Sequence, residues 1–195
     1  SHPKDLSDDL IRVMAEGKHI AKHLHLPVQS GSDTILRAMN RRYTRGEYLD
    51  LVDRLRSVKP DIGLTSDIIV GFPGETERQF QDTLSLVEHV RFDSAFTFVF
   101  SPRAGTKAAA LPDDTPQEEK RERIGRLIDL QQRISLEILK GQVGRRETIL
   151  VEGVSARDEG AVGGKTPRGH MVNFPGKADL IGRFVEVDIR SAGRN

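Results

Sequence analysis

The spacing of apolar residues along this 195-residue chain switches several times between two periods. Short runs rich in β-branched and aromatic residues at 21–29 (AKHLHLPVQ), 63–70 and 93–101 read as strands. In the last of them Phe96, Phe98 and Phe100 alternate with Thr97, Val99 and Ser101. After the first two strands apolar positions recur every three or four residues, predicting helices over 34–40, 46–58 and 77–90. The third of these carries Phe80, Leu84 and Val87 on one face, and a further helix over 6–16 precedes the first strand. Strands alternating with helices predict an α/β fold built on a parallel sheet, either a barrel or a doubly wound sheet.

Beyond residue 101 the pattern changes twice. SPRAGTKAAALPDDTP is a loop of small residues, glycine and proline. Thr115, Pro116 and Glu118 then supply an N-cap, a first-turn proline and a capping-box acid for a long helix reaching about residue 140. Gly141 ends it. From Gln142 onward short β-like runs (TILVEGV, HMVNF, RFVEVDI) lie between glycine-rich turns, the pattern of a small antiparallel barrel. Two domains are expected, 1–141 and 142–195.

Composition adds limits. With 36% hydrophobic and 30% charged residues the chain has enough apolar surface to bury a core. No apolar run approaches the ~18 residues of a membrane span, and no signal-peptide pattern opens the chain, so a cytoplasmic location is expected. The absence of cysteine removes disulfides, thiolate zinc sites and cysteine-held clusters. The net charge of +1, split as −1 over 1–141 and +2 over 142–195, decides nothing about nucleic acid.

Chemistry is concentrated where strands end. In SDIIVGFPGET (66–76) an apolar strand stops at Gly71 and a turn leads into a helix. A phosphate is one ligand for such a loop, held by main-chain amides at the helix start. Here Thr76 and Gln79 form a capping box that satisfies those amides, Glu75 stands where the anion would sit, and no P-loop lysine is present. A flat neutral group against Ile69, Gly71 and Phe72 fits better; a plain tight turn fits as well. QSGSD (29–33) has the same layout, with Gln29 and Ser30 at a strand end and Ser32 or Asp33 free to cap the next helix. Asp67 interrupts an apolar strand, so it needs a partner or a polar cavity. His23 and His25 share a strand face as a metal-binding pair or as structural histidines; no third ligand is evident. Arg103 binds an anion or is simply solvated, and RRYTR (41–45) reads as an exposed connection between helices, with RNA contact as the lesser alternative.

Taken together, HLPVQSGSD with MNRRYTR, then SDIIVGFPGET, then SPRAGT, resemble the second half of the radical S-adenosylmethionine barrel of methylthiotransferases. ILVEG, GGKTPRGHMVNFPG and LIGRFVEVDI resemble the RNA-binding TRAM domain of those enzymes, an OB-like barrel. The motifs keep the family's order and span essentially the whole chain. LPVQSGS is similar to the form that adds a methylthio group to C2 of N6-isopentenyladenosine at position 37 of tRNA. Relatives acting on threonylcarbamoyladenosine tRNA or on a ribosomal protein are the rivals.

The resemblance implies S-adenosylmethionine as cofactor and two [4Fe-4S] clusters in the full-length enzyme, with no cluster ligand in this chain. It implies reductive cleavage of S-adenosylmethionine, hydrogen abstraction from C2 and insertion of a methylated sulfur. It places the adenine of S-adenosylmethionine against Ile69, Gly71 and Phe72, and its ribose and methionine beside Gln29 and Ser30, with Asp67 in the same cavity. Lys165, Arg168, Asn173 and Phe174 become candidate contacts to the anticodon arm of tRNA, although Phe174 fits a core position equally. A sulfur donor is a further expected partner. Because Ser1-His2-Pro3 resembles the family's segment after the third strand, the chain is expected to be a piece supplying strands four to six and TRAM, clipped after Arg190 and inactive alone. A free-standing RNA-binding module and an unrelated α/β enzyme holding a nucleotide at GFPGET are the competing readings. A Cys-x3-Cys-x2-Cys motif upstream of Ser1 discriminates for the first.

Overall fold

A computed structural model describes residues 3–113, 115–156 and 158–193. Ser1 and His2, part of the motif from which the start of the segment is read, lie outside them. Helix α1 (Asp8–Glu16) is capped by the Ser7 hydroxyl and precedes β1 (His23–His25), α2 (Asp33–Ala38), α3 (Arg45–Val58), β2 (Gly63–Val70), α4 (Glu77–Val90) and β3 (Ser94–Val99). The three strands form one parallel sheet in the order β1-β2-β3. Helix α5 (Gln117–Lys140) follows, and β4 (Arg146–Val154), β5 (Ala161–Lys165), β6 (Met171–Pro175) and β7 (Phe184–Asp188) make an antiparallel sheet in the order β6-β5-β4-β7.

The parallel sheet is covered on one face only. Leu64, Ile68 and Val70 of β2 point to the helices and join Leu26, Val28, Tyr48, Val52, Leu55, Phe80, Val87, Leu127 and Ile134 in one apolar core. At ~25 cal/mol per Å² of buried apolar surface, this is the main term holding the α/β layer together. Tyr48 is fully buried, its hydroxyl donating to the Leu26 carbonyl at 2.8 Å. Burial pushes that phenol far above its usual range. The other sheet face, with Thr65, Asp67 and Ile69 of β2, carries no helix and is half-buried.

Four expectations need correction. The strand read over 21–29 is regular only at His23–His25, with a single further bridge from Gln29 to Ile68. Pro27 has no N–H to give, and the Ser66 hydroxyl fills the gap by accepting from Val28 N at 3.0 Å and donating to Leu26 O at 3.1 Å. Second, α5 begins one residue later than the capping-box pattern implies: Pro116 is its N-cap, and no side chain caps it. Its first turn is instead tied by Lys120 to Asp113 at 2.5 Å and by Glu119 to Arg123. Third, RRYTR is not merely exposed. The Tyr43 hydroxyl donates to Val28 O at 3.0 Å, Thr44 and Glu47 form a capping box for α3, and Arg45 reaches the Asp82 carbonyl and Ser85 Oγ on α4.

The fourth is β5, AVGGK, which the pattern of apolar runs passes over as a turn. A Cβ at Gly164 would lie 2.2 Å from the Leu150 carbonyl oxygen, so the close crossing of β5 on β4 requires a bare backbone there. The glycines that hide the strand from a hydrophobicity reading are what allow it to pair.

Candidate functional site

The carboxyl ends of the three strands gather the residues singled out by motif. At the end of the β1 segment Gln29 is buried with φ 70°, an uncommon conformation for a non-glycine residue. Its N–H donates to Asp67 O at 2.9 Å and its carbonyl accepts from Ile69 N at 2.8 Å, which fastens this turn to β2. The Ser30 side chain is fully buried and committed internally: Oγ accepts from Ser32 N at 3.2 Å and lies 3.4 Å from Thr83 Oγ1 of α4.

The loop after β2 is built around a buried acid. Gly71 has φ 68°, and its N–H donates to Glu75 Oε2 at 2.7 Å. Arg123 of α5, itself buried, donates to the Glu75 carbonyl at 2.8 Å and stands 3.5 Å from Glu75 Oε2. Burial raises the Glu75 carboxyl above its usual range, while the Gly71 N–H and Arg123 oppose that shift. The carboxylate thus takes the amide a bound phosphate would need. Thr76 and Gln79 complete the capping box expected from sequence, with Thr76 N donating to Gln79 Oε1 at 2.8 Å. A Cβ on Gly71 would meet the Lys120 side chain at 2.7 Å. Phe72 is buried edge-to-face on Phe100, ring centroids 4.9 Å apart. What the loop offers a ligand is therefore main chain and the half-buried Ile69.

Deeper on the helix-free face lies a row of polar groups. His23 Nε2 and His25 Nδ1 both contact Thr65 Oγ1, at 3.2 and 3.0 Å, and His25 Nε2 is 3.5 Å from Asp67 Oδ2. Asp67 thus has the partner that its place in an apolar strand demands. Burial pulls the His23 imidazole below its usual value, against the raising influence of Asp93. Among the described residues no group of three or more His, Cys, Asp or Glu could hold a metal ion.

A cleft of about 1110 Å³ lies elsewhere, at the amino ends of the strands where the two sheets meet. There Asp93, the residue before β3, accepts from Leu64 N at 2.9 Å and from Arg168 Nη2 at 2.7 Å, and His170 Nε2 lies 2.7 Å from the same Oδ1. Burial would raise the Asp93 carboxyl, but His170 and Arg168 outweigh it and hold the group below its usual range. From α5, Gln131 Nε2 donates to Phe92 O and Ser135 Oγ to Asp93 O, at 2.8 and 2.7 Å. Ligands of α/β folds sit at the opposite, carboxyl edge, so this cleft reads as the seam between domains.

The four candidate RNA contacts fall on different surfaces. Lys165 is exposed on the outer face of the antiparallel sheet, 3.3 Å from Glu152, and Asn173 is exposed on the same face. Arg168 is engaged with Asp93, and half-buried Phe174 pairs in register with buried Val162 on the inner face. Sequence reading gave Asp93 and His170 no role. The available signal was a carboxylate beginning a buried strand, which has to find a cation.

Comparison with known proteins agrees with both halves. Residues 1–87 match the Radical SAM superfamily and residues 140–195 match the TRAM domain. The chain is 53% identical over 189 residues to tRNA-2-methylthio-N(6)-dimethylallyladenosine synthase of Carboxydothermus hydrogenoformans, covering 97% of this chain and 43% of that protein. It is 51% identical to the protein of the same name from Thermoanaerobacter sp., covering 97% of this chain and 40% of the relative. In three dimensions it is similar to coproporphyrinogen III oxidase from Escherichia coli, a radical SAM enzyme, with a TM-score of 0.57 at 18% identity over 85% of this chain and 45% of that one.

Fold and matches together define a radical SAM segment joined to a TRAM domain. Over 97% of its length the chain is similar to proteins named tRNA-2-methylthio-N(6)-dimethylallyladenosine synthase, and it spans about two fifths of the length of these curated relatives. Radical SAM enzymes use S-adenosylmethionine and an iron–sulfur cluster; with no cysteine, this chain has no thiolate to hold one. No helix among the described residues is long and apolar enough to cross a membrane.

Proposed function

We propose that this chain is the substrate-side half of the barrel and the RNA-binding domain of a cytoplasmic enzyme that installs a methylthio group at C2 of N6-isopentenyladenosine at position 37 of tRNA. The observation that carries the reading is identity of about half, over 97% of the chain, to relatives bearing one name for that reaction. The chain has no cysteine to hold the two [4Fe-4S] clusters of the reaction, so the steps assigned here concern binding and orientation only.

S-adenosylmethionine lies along the carboxyl edge. Its adenine rests on Ile69 and the main chain of Gly71 and Phe72, which Glu75 and Arg123 hold in place. Its ribose and methionine face Gln29, Ser30 and Asp67. Ser30 and Phe72 act through their main chain, because their side chains are already packed. TRAM grips the anticodon arm by its outer sheet face, where Lys165 and Asn173 are exposed. Arg168 serves this grip by tying TRAM to Asp93, while Phe174, in register with Val162, belongs to the inner face of TRAM.

The test is made on the full-length protein with its clusters, S-adenosylmethionine and a reductant. RNA stem-loops carrying N6-dimethylallyladenosine are incubated with it, and the nucleosides are analysed by mass spectrometry. The 2-methylthio derivative is expected. A protein that modifies only threonylcarbamoyladenosine RNA, or no RNA, refutes the reading.

A further inference from the structure

The turn after β2 is clamped from α5 by two residues, Lys120 and Arg123, that lie between the two matched segments of the chain. The Lys120 stem packs on Gly71: a Cβ at that glycine would lie 2.7 Å from Lys120 Cγ and 2.9 Å from Cδ. The Lys120 ammonium pairs with Asp113, in the segment that leads from β3 into α5. One turn further on, Arg123 Nη1 donates to the Glu75 carbonyl at 2.8 Å and Nη2 donates to Glu119. Glu75 Oε2 in turn accepts from the Gly71 N–H at 2.7 Å. Gly71 is thus fixed at its Cα by an aliphatic stem and at its N–H by a carboxylate.

Stability alone is a poor reason for this arrangement. The Glu75, Lys120 and Arg123 side chains are 0, 1 and 2% exposed, and each ion loses hydration that apolar side chains of the same volume would not forfeit. Glu75 Oε1 and Arg123 Nε are moreover buried with no hydrogen-bond partner among the described residues. Unpaired atoms of this kind gather where a fold gives up stability for a fixed local geometry. Arg123 supplies that geometry, because its planar fork ties a main-chain carbonyl and a carboxylate at once, which the single point of an ammonium does not. What the clamp fixes is main chain, since the Phe72 ring is already packed on Phe100.

We infer that Lys120 and Arg123 are positioning residues for S-adenosylmethionine, holding the Gly71–Phe72 main chain in the shape that receives its adenine without touching the cofactor themselves. The inference rests on the cofactor placement proposed above and gives α5 a part in cofactor affinity. It also divides the work between the two side chains: Lys120 acts through its methylene stem and Arg123 through its fork. A loop held in its bound shape before the ligand arrives spares the ligand the cost of ordering it.

The experiment uses the full-length protein with its clusters and without reductant. Dissociation constants for S-adenosylhomocysteine and 5′-deoxyadenosine are measured by calorimetry, beside the melting temperature of each variant without ligand. Lys120→Ala weakens both ligands by about tenfold, because an unclamped loop has to be ordered on binding. Lys120→Met keeps an unbranched stem and stays within about threefold of wild type. Arg123→Lys keeps the charge and still loses about tenfold. With reductant and RNA added, Lys120→Ala and Arg123→Lys raise KM for S-adenosylmethionine in proportion and change kcat little. Binding of both ligands at wild-type strength by Lys120→Ala and Arg123→Lys overturns this inference alone, whatever the melting temperatures. Lys120→Met as weak as Lys120→Ala overturns the role of the stem. A wild-type protein that binds neither ligand overturns the cofactor placement and the inference with it.

Discussion

Asp93 Oδ1 and Arg168 Nη2 are 2.7 Å apart, across 75 positions of sequence, and this contact joins the radical SAM segment to TRAM. The Asp93 side chain is 3% exposed and the Arg168 side chain 20%. His170 and Leu64 N–H complete the set around the carboxylate. Such a pair fixes an orientation more than it adds net stability, because both charges lose water on contact. Removing one member is another matter, since its partners stay buried without an acceptor.

Asp93→Ala is therefore expected to cost about 3 kcal/mol and to free TRAM from the barrel segment. Urea unfolding, together with limited proteolysis between residues 140 and 146, measures both effects. An unchanged midpoint and cleavage rate would show that the seam is held by something other than this carboxylate.

The same residue gives a pH signature. Its pKa is depressed on folding, so its contribution is present above the unfolded value near 3.8 and is lost as pH falls through the lower folded value. The stability gap between wild type and Asp93→Asn should thus narrow below about pH 4. His23 is also depressed, so the folded state binds its proton less readily than the unfolded chain does. Stability from that source is complete above about 6.5 and declines as pH drops below it. His23→Gln should flatten that upper window in denaturation curves, and a variant with the wild-type slope there would remove His23 as its cause.

Gly71→Ala meets two obstacles, a φ of 68° and the Lys120 side chain 2.7 Å from the new Cβ. Gly74→Ala meets only the first, since no atom lies within 4 Å of its Cβ position at φ 77°. Left-handed backbone costs an alanine about 1–2 kcal/mol, so Gly74→Ala should lose about that much and Gly71→Ala more. Thermal unfolding of the two variants compares them directly, and equal losses would mean that Lys120 moves aside freely.

For RNA, Lys165 and Arg168 should separate. Lys165→Ala is expected to lower the slope of log affinity against log salt by about one, the mark of a lost phosphate contact. Arg168→Ala should leave that slope alone and lower stability, because its guanidinium is spent on Asp93. Titration of a tRNA anticodon stem-loop at several salt concentrations reads the slopes. A slope change in Arg168→Ala but not in Lys165→Ala would reverse the assignment of the two surfaces.

The sequence by itself determined the elements whose signals are local. Helical spacing and the Thr76–Gln79 box placed α4 at its observed bounds, and β2 was readable from the apolar residues that end in Ile68, Ile69 and Val70 before Gly71. The glycine turn after β2 was legible too, because a strand ending in glycine before a capped helix announces itself without any long-range contact. The motif order carried the family. Tertiary structure decided whatever depended on a partner distant in the chain. The β5 glycines look like a turn until β4 lies against them, and Arg168 looks like an RNA contact until Asp93 claims it. The alternation of Phe96, Phe98 and Phe100 with Thr97, Val99 and Ser101 marks the aromatic face as the one to bury, yet Phe96 and Phe98 stand exposed. Helices α4 and α5 cover one side of the sheet and leave Phe96 and Phe98 on the other, a choice made by packing between segments that no local pattern encodes.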